Sequence, residues 1–432
     1  MEPAVEIKKA YQVTRGQAAS ILIVMTVLYV MNYADRSILS VVLQQIKVSM
    51  GISDGELGLI QSVFSLGLGL FTIPLAWIVD RWSRRKAIGI MALVWSAATF
   101  ATGLARNVVG LVITRAFVGL GEDGFSTSGS GWLSLVYPKA KRGLITGIFG
   151  VGGVLGTAIG LILGGIIVTR TGMWQMPFFI FAVPGIILGI WAFFLKDYAS
   201  VKSEGEAGLS RQYLVNFVKL FKIKAFTFTT LGQACYGLYV FTWVGWLPAF
   251  LMRAYNIDAA AAGTIVGVAG LTAMIGSPIS GLLSDRWRRK NRGARGYMMA
   301  LLQFINFIML AVIVYLFGSI PIPVLIALLC VQIMLVAMMI PLLFSLITDV
   351  TPASHRIAGQ GMMVTLVYAA TAVGPWLVGA ISDVVGGGAA GIRDGFLWLL
   401  PALLLCVVFY TINSKYYPDD SDRVSDHVYS EK

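Results

Sequence analysis

Apolar stretches of about 20 residues recur along the whole of this 432-residue chain, and a helix of that length crosses a hydrocarbon core of roughly 30 Å. No other property constrains the fold as strongly. Hydrophobic residues make up 57% of the chain and charged residues only 12%, where a soluble domain carries about 25% charged residues. The runs are continuous, so they lack the alternation of a membrane barrel. The expected fold class is an all-α membrane protein.

Twelve spans can be read, at about 18–44, 55–79, 85–104, 108–136, 143–168, 176–195, 226–252, 260–284, 296–317, 321–348, 357–382 and 393–412. A longer polar stretch divides them into two sets of six. The expected organisation is an N-terminal bundle over 1–195, a linker over 196–225, a C-terminal bundle over 226–414 and a cytoplasmic tail over 415–432. Within the linker, Leu214, Phe217, Val218 and Phe221 share one helical face, as in an interfacial amphipathic helix.

The net charge of +12 follows topology. Basic residues collect in the N-terminus, the even-numbered loops and the linker: Lys8, Arg84, Arg142, Lys202 and the run Arg286–Arg295. The opposite loops hold scattered cations, Lys47, Arg106, Arg170, Arg253 and Arg393. The positive-inside rule then places both termini in the cytoplasm, and a bacterial inner membrane is expected. Basic loops facing anionic lipid account for the charge without a nucleic-acid partner. Residues 1–17 are polar, so the first span is expected to serve as its own insertion signal. Cys235, Cys330 and Cys406 lie in apolar runs and suggest packing. No metal or cofactor spacing appears, nor a nucleophile–base set, so an enzyme is not expected.

The halves echo each other. Asp80-Arg81-Trp82-Ser83-Arg84 follows the second span and Asp285-Arg286-Trp287-Arg288-Arg289 the eighth. Pro138, Arg142 and Gly147 recur as Pro352, Arg356 and Gly361 at the same spacing. The repeat implies two pseudo-symmetric six-helix bundles with a site between them near the midplane. The D-R-W-x-R loop resembles the cytoplasmic signature of the major facilitator superfamily, and the resemblance covers nearly the whole chain. Ala76 and Ser83 stand where that signature usually has glycine. Asp80, Arg81, Arg84, Asp285, Arg286 and Arg289 are expected to form a conformational gate that pairs across the bundle in one access state.

Charges inside the spans are rarer. Asp35 and Arg36 interrupt the first span, and Arg115, Glu122 and Asp123 the fourth. A charge at the bilayer centre costs roughly 2.5–3.5 kcal/mol, so such residues usually serve a substrate or ion path. Arg115 and Glu122, seven residues apart, share a helix face about two turns apart. The second half offers neutral groups instead, including Gln233, Tyr236 and Tyr368. Charge and protons are thus assigned to the first half, and hydrogen bonds and aromatic walls to the second. A purely structural ion-pair network between spans one and four is the alternative.

Asn32-Tyr33-Ala34-Asp35-Arg36 and the Arg115–Glu122 spacing resemble the organic anion:cation symporters, and also the spinster-like carriers. The symporter resemblance implies that Arg36 binds a substrate carboxylate and that Asp35 and Glu122 carry protons. Asp123 departs from that pattern, where a small residue is common. The substrate-binding set is expected to be Tyr33, Arg36, Arg115, Gln233, Tyr236 and Tyr368. A docking anion would compete with Asp35 for Arg36, which favours protonating Asp35. The expected function is proton-coupled alternating access for a small organic anion, a carboxylate or sugar acid, by a monomer in contact with membrane lipid. A lipid or lysophospholipid carrier is the alternative, and a non-transporting sensor on the same scaffold a third.

In span five, Gly152, Gly156 and Gly160 repeat the small-x3-small spacing that lets helices approach closely.

Overall fold

The computed structural model describes residues 13–197, 220–352 and 356–430, with side chains at 71–81, 139, 356–358 and 425–430 left aside. The linker helix expected around 213–226 falls mostly outside the described residues. Within them the chain is helical and has no strand.

The first half comprises α1 (Arg15–Met50), α2 (Asp54–Arg81), α3 (Arg84–Leu104), α4 (Val108–Glu122), α5 (Phe125–Val136), α6 (Arg142–Thr171) and α7 (Met176–Ala192). The second comprises α8 (Lys224–Tyr255), α9 (Ala259–Leu271), α10 (Ala273–Arg288), α11 (Ala294–Tyr315), α12 (Ile322–Val350), α13 (Arg356–Thr371), α14 (Val373–Val385) and α15 (Gly388–Ser430). Among the described residues, nine helical stretches are long and apolar enough to cross a membrane. The other three traverses are α2, the α4–α5 pair and the 17-residue α7. Twelve traverses in two bundles result.

Local chemistry sets the helix ends. Thr14 with Gln17, and Ser53 with Glu56, form reciprocal capping boxes. Gly51 ends α1 in the left-handed region at φ 66°. Three traverses are broken. Span eleven breaks at Ala372, where Pro375 has no N–H for the Thr371 carbonyl. Span four breaks directly after Glu122, at Asp123-Gly124, with Gly124 at φ 74°.

Two cores form. The first half has its own at the end where the basic loops lie, built on Trp95, Phe125, Trp132 and Phe149. At the other end, Ile38, Val42, Ile46, Leu57, Ile60 and Leu161 of the first half join a core that continues through the second. Among the described residues, the halves therefore share an apolar core at one end only. We call this the opposite face and the other the basic face.

Close backbone approach holds this arrangement. A Cβ on Gly165 would collide with the Ala259 carbonyl, and one on Gly263 with that of Leu161. Both collisions join α6 to α9 at the opposite face. Within the first half, Gly152, Gly156 and Gly160 lie against the Thr26, Val30 and Ala34 carbonyls of α1, as the small-x3-small spacing predicts. This seats α1 on α6 beside its charged pair.

The last helix does not stop at the end of its span. It continues to Ser430, through the segment expected to be a tail. Asn413 donates to the Ala225 carbonyl at 2.7 Å, and Asp420 accepts from the Ala225 N–H at 2.9 Å. Tyr417 and Arg295 both bond Asp349.

Candidate functional site

Four of the five span charges, Asp35, Arg36, Arg115 and Glu122, converge between α1, α3 and α4. Arg36 Nε donates to Glu122 Oε2 at 2.6 Å. The Arg36 side chain is 19% exposed and that of Glu122 is 0%. The break after Glu122 ends α4 at this depth. Asp35 turns away from its neighbour. It is fully buried, and Thr99 Oγ1 donates to its Oδ2 at 3.3 Å. The carboxylate that holds Arg36 is therefore Glu122, and the expected contest between substrate and Asp35 for Arg36 is corrected accordingly. Neighbours in sequence are about 100° apart on a helix, so they meet different partners.

Arg115 lies behind this pair at 1% exposure. Its Nη2 donates to Thr102 Oγ1 at 3.1 Å, and its guanidinium sits 5.2 Å from the centre of the Phe178 ring. Expected to bind substrate, it is enclosed within the first half. Asp35 Oδ1, Glu122 Oε1 and Arg115 Nε have no hydrogen-bond partner among the described residues. A buried cluster with unsatisfied atoms is costly, which makes it the candidate site. Asp123 is 5% exposed at the break.

Aromatic rings surround the reachable side of Arg36. Its guanidinium lies 4.9 Å from the Tyr33 ring centre and 5.6 Å from that of Phe64. Tyr29 meets Tyr33 edge-on at 4.9 Å. From the second half, Tyr368 lies beside Arg36. The structure thus brings Tyr33, Arg36, Glu122 and Tyr368 together. Gln233 and Tyr236 lie elsewhere. Gln233 accepts from Tyr410 at 3.0 Å inside the second half, and Tyr236 is 7% exposed in the same core. Phe64, Thr99, Thr102 and Phe178 were not anticipated. Apolar residues and threonines in apolar spans carry no signal until a charge is seen beside them.

A second charged cluster closes the opposite face. Arg253 grips both oxygens of Asp54, and Lys47 donates to Asp54 Oδ1 at 2.6 Å. Ser382 donates to Asp54 Oδ2 at 2.7 Å, and Gln44 accepts from Arg253 Nε at 2.7 Å. Asp383 accepts from the backbone N–H groups of Asp54 and Gly55, at 2.9 and 2.7 Å. The cluster joins α1 and α2 to α8 and α14, and so one half to the other. Asp54 sits just ahead of the second span. Burial pushes its carboxyl up, but the hydrogen bonds from Arg253 and Lys47 win and hold it down at about 2. From the sequence, Lys47 and Arg253 were only scattered cations. Their one signal was charge at span ends on the cation-poor side.

The described ion pairs of the basic face stay within one half. Arg85 lies 3.6 Å from Asp197, and Asp285 lies 3.4 Å from Arg295. Arg288 lies 3.7 Å from Asp349. Arg286 and Arg289 are exposed, and Arg84 lies against Gly131. The side chains of Asp80 and Arg81 are outside the described residues.

The profile of the Major Facilitator Superfamily matches residues 25–319. A probable sulfoacetate transporter, SauU, of Cupriavidus necator is 28% identical over 65% of this chain and 68% of its own length. The hexuronate transporter of Bacillus subtilis is 27% identical over 59% and 62% respectively. The mouse sphingosine-1-phosphate transporter SPNS2 is 26% identical over 54% and 43%. The chain thus aligns with only part of each relative, under two thirds of the last two. The crystal structure of a bacterial homologue of the human lysosomal transporter Spinster, inward-facing and unoccupied, superposes with a TM-score of 0.81. It does so at 18% identity, over 94% of this chain and 99% of that one. Its likeness bears on the fold alone, and the profile match carries the assignment: this chain belongs to the Major Facilitator Superfamily, as an integral membrane transporter.

Proposed function

We propose that this chain is a proton-coupled secondary transporter of a small organic anion, with Arg36 as the dock for the anion. The observation that carries this reading is the Arg36–Glu122 pair, in which the cation is the partly exposed member and the acid is fully enclosed. An anion arriving at Arg36 competes with Glu122. Once displaced, a carboxylate this deeply buried is favoured as its protonated form. Binding of the anion and uptake of a proton thus become one event. Asp35, with a single hydroxyl partner, is the second proton carrier. Arg115 offsets the charge of the two acids from behind and does not touch substrate. The sulfoacetate and hexuronate relatives support an anionic substrate.

The basic face is assigned to the cytoplasm of a bacterial cell, with both termini. The shared core and the Asp54 cluster then close the outer side, and the halves part toward the inside. Alternating access would break the Asp54 cluster and assemble the gate of Asp80, Arg81, Arg84, Asp285, Arg286 and Arg289.

A second reading takes the anion to be an amphiphilic lipid. The rings around Arg36 and the likeness to SPNS2 favour it. Uptake into proteoliposomes separates the two, using a panel of organic acids and lysophospholipids with and without a pH gradient. Organic-acid uptake driven by the gradient and lost in Arg36→Ala supports the first reading. Undiminished gradient-driven accumulation by Glu122→Gln overturns the coupling.

A further inference from the structure

We propose that the first half holds an anionic membrane phospholipid at the basic face, in a cavity between the start of α1, the start of α3 and the end of α7. The inference does not rest on Arg36 as the dock.

Position is the first ground. The cavity has a volume of about 620 Å³, within the roughly 300–1,000 Å³ of small-molecule sites. Gly16, Gln17 and Ser20 of the first two turns of α1 line it, with Arg85 of the first turn of α3 and Trp191 of the last turn of α7. All three are basic-face ends of apolar helices, so the cavity lies at headgroup depth. Phe194, also in its wall, is 79% exposed, and Trp191 is 52% exposed. Exposed aromatic rings at that depth meet lipid. Ile187 and Ile190 share the exposed face of α7 with Trp191 and lead from the cavity toward the bilayer centre, as a track for an acyl chain.

Charge is the second. Arg85 and Lys196 line the cavity, and so does Asp197. Ser83 donates to the Asp197 carboxylate, and Arg85 Nε lies 3.6 Å from it. Arg85 also donates to the Leu195 carbonyl at 3.3 Å. Two cations against one carboxylate leave one positive charge, and the start of α1 adds the positive pole of a 36-residue helix. A phosphodiester headgroup with one net negative charge completes that balance, whereas a zwitterionic headgroup leaves the surplus in place. Arginine and lysine are the side chains that hold phosphate oxygens. Gln17 and Ser20 offer hydrogen bonds to the hydroxyls of a phosphoglycerol headgroup. A lipid seated here ties the basic-face end of α1, the helix that carries Asp35 and Arg36, to α3 and α7.

The test uses the full chain, delipidated in mild detergent and incubated with equimolar phosphatidylglycerol, phosphatidylethanolamine and phosphatidylcholine. Bound lipid is counted by native mass spectrometry. Phosphatidylglycerol should be retained at least about fivefold over the other two, and in Arg85→Gln/Lys196→Gln that preference should fall to about twofold or less. Lys196→Glu, at an exposed position, covers the case of a double variant that is not monodisperse, and should lower the preference at least about threefold by itself. Lys290→Gln/Lys415→Gln removes two exposed cations of the second half at the same face and should leave the preference unchanged. Equal retention of phosphatidylethanolamine overturns the inference. So does an equal loss in the Lys290/Lys415 variant, which would make the preference a property of the whole basic face. Retention that rises severalfold on removing residues 1–10 would make the chain's own N-terminal segment the occupant of the cavity, and overturns it too.

Discussion

Arg253 holds Asp54 through two parallel hydrogen bonds, at 2.8 and 2.7 Å, across the boundary between the halves. The two residues lie 199 positions apart. A paired guanidinium and carboxylate is among the stronger polar contacts available, and this one has Lys47, Gln44 and Ser382 around it. A latch of this kind can hold one access state.

Arg253→Ala should open the opposite face. The substitution leaves Asp54 enclosed with one cation fewer, and breaking such a pair costs about 3–5 kcal/mol. In a background carrying Gln61→Cys, between the halves, labelling by an impermeant maleimide from that side should rise at least about tenfold. An unchanged labelling rate would show that the apolar core alone keeps this face shut.

The latch should be indifferent to pH in the physiological range. The Asp54 carboxyl falls from its ordinary 3.8 to about 2. A lowered value means the stabilisation is fully present above 3.8 and is lost as the pH falls through about 2. Spin-label distances across the opposite face should therefore hold steady from about pH 5 to 8 in substrate-free protein. A shift within that window would assign the pH sensor to another group.

Arg36 and Arg115 should fail differently. Arg115→Gln removes an enclosed counter-ion and should lower stability by about 3–5 kcal/mol, read as a fall in Tm. Arg36→Gln should cost less stability, because its side chain is 19% exposed, while substrate binding is lost. A raised KM in Arg115→Gln at unchanged Tm would put Arg115 back among the substrate contacts.

Gly156→Ala should cost about 1–3 kcal/mol through overpacking, since its Cβ would strike the Val30 carbonyl. Moving α1 away from α6 displaces Arg36, so uptake should fall as well. Gly150→Ala is the control, because nothing lies within 4 Å of its Cβ. Equal effects at the two positions would remove close helix approach as the cause.

Much of this molecule is determined by its sequence alone. Continuous apolar runs can only be helices in lipid, because every backbone polar group must find its partner within the segment. The second span, read at about 55–79, is the helix Asp54–Arg81, and the fifth, read at about 143–168, is Arg142–Thr171. The repeated D-R-W-x-R loops imply two bundles. The glycine spacing of span five implies its close neighbour, and the charges of spans one and four single out the candidate site. Helical periodicity says which face a residue occupies but not which helix that face will meet. The tertiary structure decided that Glu122, not Asp35, holds Arg36, that Arg115 is walled in by Thr102 and Phe178, and that Gln233 bonds Tyr410 inside the second half. It also decided that Arg253, 199 positions from Asp54, joins it and Lys47 in one cluster. Each of these is a contact between helices set by packing of the whole bundle, and no local propensity encodes it.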